Sequence, residues 1–250
     1  MKGLKFWKPL TFDIATFKWR LHERRNKEFI GNGSDKGKAT YNFNELGFRG
    51  ASPKKKGFKI MSIGCSHTEG IDVYDHQTWP AQLSSLISNS VDVNLGISGR
   101  SNDYIARSIL TYANEFKPDL ILIMYTYPNR KEYYTETGGI EPYHPNPWGY
   151  FDEDREGRLE WAGIVSSSNE QNDLMNWYKN HMLITYYLKD MGIPFLWNGT
   201  FVGTDYKDEN RFDGNYPPLK DTHQHATYLE NKEYAQKLYK HLEKIGIIKN

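Results

Sequence analysis

The sequence predicts an α/β protein: a three-layer α/β/α sandwich around a parallel sheet of about four to five strands, with an N-terminal helical extension. Three observations predict it. From residue 58 onward, short apolar runs alternate with longer segments of helical periodicity. The run DLILIMYTY (119–127) is apolar almost throughout, as in strands covered on both faces. Each run is separated from the next by enough chain for a helical, right-handed crossover.

The elements follow in order. FKIMSIG (58–64) reads as a short buried strand, and TWPAQLSSLISN (78–89) as a helix with Thr78 as N-cap. VDVNLG (91–96) is the second strand. SNDYIARSILTYANEF (101–116) is a helix capped by Ser101 or Asn102, and the apolar run after it is the third strand. A segment at about 126–168 reads as an irregular insert. NEQNDLMNWYKNHMLITYYLKDMG (169–192) is a long helix that stops at Gly192, and IPFLWNGTF (193–201) is the fourth strand. TYLENKEYAQKLYKHLEKIG (227–246) is the last helix, ending at Gly246.

Residues 1–50 stand apart as an extension, leaving 51–250 as the main domain. Trp7, Leu10, Ile14, Phe17 and Leu21 recur at helical spacing behind Pro9 and Thr11, among a surplus of lysine and arginine. That stripe suits packing onto the main domain, or alternatively a membrane surface or a partner protein. GNGSDKGK (31–38) has the composition of a flexible linker.

The bulk numbers exclude several classes. The 250 residues carry a formal net charge of +1, so no general nucleic-acid binder is indicated. Cys65 is the one cysteine, which rules out an intramolecular disulfide. The sequence contains no apolar run near the ~18 residues of a membrane span and no signal-peptide pattern, so a cytoplasmic location is expected.

In an open parallel sheet, ligands bind beyond the carboxyl ends of the strands. The residues there are Gly64, Cys65, Ser66 and His67; Gly96 to Arg100; Tyr127 to Arg130; and Asn198 to Thr200. Asp221, His223 and His225 lie ahead of the last helix. A serine, glycines, an asparagine, an aspartate and histidines make the set that acyl transfer needs. Cys65 as a rival nucleophile and His67 as the base both fare worse than their neighbours. Adjacent side chains diverge, so His67 is expected at the surface or in a supporting place. A metal site from Asp221, His223 and His225 lacks any HExxH or CxxC spacing.

These blocks resemble the SGNH hydrolases, also called GDSL-type esterases and lipases, from about residue 42 to about 242. NFNELGFRG looks like the family's lead-in. IMSIGCSHTEG sits where the family has its G-D-S nucleophile block, and VNLGISGRSN is similar to its second block. PDLILIMYTYPNR resembles the strand leading to G-x-N-D, and DTHQHATYLENKEYAQKL resembles the closing D-x-x-H and its helix. The resemblance implies a flavodoxin-like sheet and a serine esterase that needs neither cofactor nor metal. Ser66 would be the nucleophile and first oxyanion donor, Gly99 the second and the Asn129 amide the third. His225 would be the base and Asp221 its orienting acid. Cys65 stands where the family has aspartate. The last block, D-x-H-x-H, carries two histidines, so His223 is the alternative base.

The aromatic insert follows strand three and should overhang the active edge. Its tyrosines and tryptophans suit stacking on a sugar face, with Tyr127, Arg130, Trp148 and Tyr150 as candidate substrate contacts. A small acyl ester, such as O-acetyl on a carbohydrate, is the substrate expected. Two other readings stand beside it. One is a sugar O-acetyltransferase. The other is a binding module that docks onto an assembly, such as a virus particle or glycan-synthesis complex, through its N-terminal helix.

Overall fold

The computed structural model describes residues 24–32, 38–134, 140–143, 169–199, 206, 208–214 and 225–248. A four-stranded sheet lies at its centre. It is built from β3 (Phe58–Ile63), β4 (Ser90–Asn94), β5 (Leu120–Tyr125) and β8 (Phe195–Gly199), in the order β4-β3-β5-β8, with every neighbouring pair parallel. This is the flavodoxin-like order, in which the crossover direction reverses beside the first strand of the sheet. All six residues of β5 are buried. Alternate side chains feed opposite faces, as the period of a strand requires.

On one face Ile121, Ile123 and Tyr125 pack with α3 (Asn102–Phe116) and α4 (Glu170–Asp190) through Tyr104, Ile109, Trp177 and Ile184. On the other, Leu120, Leu122 and Met124 pack with α2 (Trp79–Leu86) and α5 (Tyr228–Lys244) through Trp79, Leu83, Tyr234 and Leu238. The result is the three-layer sandwich expected. The caps follow the sequence signals. Thr78, Ser101, Asn169 and Thr227 accept backbone N–H bonds at the four helix starts, and Thr227 with Glu230 forms a capping box.

Flanking segments bond to each outer strand of the sheet. Ala51 N–H donates to Asp92 O beside β4, and residues 210–212 pair with Trp197 beside β8.

Two segments differ from expectation. The stretch read as a linker at 31–38 enters strands at both its ends. β1 (Glu28–Asn32) and β2 (Lys38–Asn42) form an antiparallel hairpin. Glycine, asparagine, serine and aspartate between two strands have the same composition as a flexible linker, so composition could not separate the two. The insert after β5 is irregular only in part: β6 (Lys131–Tyr134) pairs with β7 (Ile140–Tyr143). This hairpin is tied to α3 by Arg107–Glu132 at 2.8 Å and by Glu132 N–H to Asp103 at 2.9 Å. The N-terminal helix expected around residues 11–21 lies outside the described residues.

Candidate active site

The carboxyl end of β3 runs into a short helix, α1 (Ser66–Glu69), with Cys65 at its N-cap position. Space dictates this turn. A Cβ on Gly64 would collide with Thr68 Oγ1 and the Met124 carbonyl, and one on Gly96 would collide with the backbone of Thr68 and Glu69. Glycine at both positions lets α1 settle against the sheet end. Ser66 is its first residue and is buried.

Side chains from one strand and two helices lock the surrounding loops. Asn94, the last residue of β4, donates to Thr68 O at 2.7 Å and accepts from Gly96 N–H at 2.8 Å. Glu69, 2% exposed, accepts from Ser98 N–H and pairs with Arg24. The turn that contains Gly99 (φ +75°) is therefore tied to the helix of Ser66. Asn102 clamps the end of β5. It accepts from Thr126 N–H at 3.0 Å and donates to the carbonyls of Thr126 and Tyr127. This sets the turn of Asn129, which is closed by Arg130 N–H to Tyr127 O at 3.1 Å. The Arg130 guanidinium donates to Thr126 Oγ1 at 2.9 Å and lies over the Tyr127 ring.

His225 enters from the start of α5. Asn231, 1% exposed, accepts from Trp79 N–H and donates to the carbonyls of Ala226 and Thr227, which anchors the residues next to His225 onto α2. His225 Nδ1 is 3.0 Å from Asp72 Oδ2. A carboxylate accepts, so Nδ1 is the donor in this pair. His67 meets His225 edge to face, with ring centroids 5.4 Å apart. His67 is buried, not at the surface, and burial pushes its imidazole down to about 4. A protonated His225 and the Arg130 guanidinium push in the same direction.

The structure thus brings Ser66, Gly99, Asn129, Tyr127, Arg130 and His225 to one end of the sheet. Asp221, His223, Trp148 and Tyr150 lie outside the described residues. Among the described residues, Ser66 Oγ makes no hydrogen bond to His225; its side-chain contact is Cys65 Sγ at 4.0 Å. Cys65 itself is buried. Asp72, Glu69, Asn94, Asn102 and Asn231 were not picked out from the sequence as parts of the site. Each is a polar residue at or near the end of an element, and its partners include a segment that no local pattern brings together with it.

No protein-family model matches this sequence, and no curated protein matches it either. Among solved structures, the chain is similar to a psychrotrophic esterase, EstA, from Pseudoalteromonas sp., with TM-score 0.45 and 10% identity over 75% of this chain and 98% of that one. It is also similar to a catalytic mutant of Axe2, an acetylxylan esterase from Geobacillus stearothermophilus, with TM-score 0.36 and 13% identity over 80% and 100% of the two chains. A Clostridium thermocellum family 3 carbohydrate esterase gives TM-score 0.35 and 15% identity over 76% and 97%. At these scores and identities the likenesses carry no argument about chemistry.

Proposed function

We propose that the chain is a serine esterase of the SGNH type that removes a small acyl group, O-acetyl first among candidates, from a carbohydrate-like substrate. One observation carries the reading. A histidine with its Nδ1 on a carboxylate stands at the same sheet end as a serine that opens a helix directly after the first sheet strand. In this reading Ser66 Oγ attacks the ester carbonyl and His225 Nε2 takes its proton. The N–H groups of Ser66 and Gly99, with the Asn129 amide, receive the oxyanion. His225 then returns the proton to the leaving alcohol, and water repeats the cycle on the acyl-enzyme. Tyr127 and Arg130 line the approach and offer a ring face and a cation to a sugar. Transfer to a sugar hydroxyl instead of water uses the same residues, and product analysis with an added acceptor separates the two.

A binding module without chemistry is the second reading. What favours it is the missing Ser66–His225 hydrogen bond and the cysteine at the family's aspartate position. Catalytic hydrogen bonds are often long before substrate binds, which is why the esterase reading comes first. Hydrolysis of p-nitrophenyl acetate decides between them. Wild type is expected to turn over, and S66A to fall by at least about 10³-fold. A folded wild type without hydrolysis, or an S66A variant that keeps it, overturns the esterase reading.

A further inference from the structure

The sequence register offers Asp221 as the acid behind the base. The geometry points to a different one: we propose that Asp72, from the loop just after the nucleophile's own helix, is the positioning residue that holds His225. The proposal rests on the esterase reading above for its catalytic consequence, but the pairing itself is independent of it.

His225 Nδ1 donates to Asp72 Oδ2 at 3.0 Å across 153 residues of sequence. An imidazole Nδ1 donates one N–H, so a second carboxylate at that atom would compete rather than add. The backbone of Asp72 is also held. Its φ of +71° lies in the left-handed region, where aspartate and asparagine are among the few tolerated side chains. Its N–H donates to Tyr41 Oη at 2.9 Å.

Tyr41 belongs to β2 of the N-terminal hairpin and is buried, with the Arg49 guanidinium 4.1 Å above its ring. Arg49 in turn brackets the loop. It donates to the carbonyls of Glu69 and Gly70 on one side of Asp72, and to Val73 O and Asp75 Oδ1 on the other. Asn42 adds two bonds to Asp75. Gly70 and Ile71 N–H both return to Ser66 O, so the nucleophile and the carboxylate leave the same short turn. The N-terminal hairpin therefore acts on catalysis at one remove: it fixes Asp72, which fixes His225.

The test compares D72N with D221N. Asparagine keeps the left-handed backbone and the Tyr41 bond, so D72N removes little besides the charge. It is expected to lower kcat for p-nitrophenyl acetate by about 10²-fold, with KM within about twofold. That is less than the ~10⁴-fold loss expected of a buried acid in this role, because both partners here are partly exposed. D72E is expected to recover part of the loss. The deciding readout is the strongly deshielded imidazole N–H proton in the NMR spectrum, present in wild type and D221N and lost in D72N. Should D72N not fold, the 15N-histidine spectra of wild type and D221N decide: His225 protonated on Nδ1 in both supports the proposal. Loss of the signal in D221N, or its survival in D72N, overturns it. Were wild type to show no hydrolysis, the esterase reading would fail while the proton signal still reported on Asp72.

Discussion

Two histidine–aspartate pairs occur among the described residues, and their surroundings set them apart. His225 and Asp72 meet at 3.0 Å with both side chains partly open to solvent. His225 Nε2 has no hydrogen-bond partner among the described residues. His181 and Asp208 meet at 2.8 Å, but the His181 side chain has no exposure at all. Its Nδ1 is taken by Tyr125 Oη at 3.1 Å, its ring stacks on Trp177, and Trp197 and Tyr206 close in edge-on. Asp208 is itself engaged by Trp197 Nε1. Burial pushes the imidazole of His181 down against the pull of Asp208. The same two residue types thus make a half-open pair, the base of the proposed esterase, in one place and a packing element in the other. What separates them is whether the second ring nitrogen is left for a substrate.

The largest expected effects break that comparison directly. H225A should cost at least about 10³-fold in kcat and change the melting temperature little, because a partly exposed pair contributes only about 0–1 kcal/mol. H181A should do the reverse. It removes a ring from a packed aromatic cluster and strips Asp208 and Tyr125 of a partner, at about 4 kcal/mol in denaturant melts. Activity of the fraction still folded should stay within about threefold. If H181A loses activity while stability holds, the two roles have been misassigned.

R49M probes the loop that makes the first pair possible. Arg49 is 1% exposed and its guanidinium serves three carbonyls and Asp75. Methionine fills similar space but leaves those groups without their donor. Asp75 is partly solvated, so about 3 kcal/mol is expected, near the low end for breaking a buried pair. Kinetics of the surviving fold should resemble those of D72N, since the loop loses its hold on Asp72.

A smaller effect concerns His67, which shares the wall of the site. Its imidazole sits at about 4 in the fold against an ordinary 6.5, so below pH 6.5 the unfolded chain binds the proton first. Its contribution to stability is therefore present above pH 6.5 and is lost as pH falls toward 4. Between pH 7.5 and pH 5 that loss should be about 2 kcal/mol, and H67Q should lack it. Asp92, raised to about 7 by burial, slopes the opposite way but does so in both proteins, so the difference between the two melting curves isolates His67. Parallel curves would mean His67 is not neutral in the fold.

Much of this was legible in the sequence because it is local. The apolar runs of β3 and β5, the caps Thr78 and Ser101, and the Thr227–Glu230 capping box each carry their signal within a few residues. So do the strand-end positions of Ser66, Gly99 and Asn129, and the place of His225 ahead of the last helix. What escaped is made by contact across the chain. Asp72 reads as one more acid in a polar turn, and only the return of residue 225 to its side gives it a role. Asn102 reads as a cap, yet its side chain spans to β5 while Ser101 does the capping. Tyr41 and Arg49 lie just past the stretch 31–38 that read as a linker, and the hairpin of Tyr41 is set by pairing that no single strand announces.

The central claim is that Ser66 is the acylated residue, and peptide mapping after a fluorophosphonate probe tests it most directly. The expected result is one adduct, on the tryptic peptide that contains Ser66, absent in S66A and slowed in H225A. An adduct on any other residue, or undiminished labelling of S66A, would contradict the account.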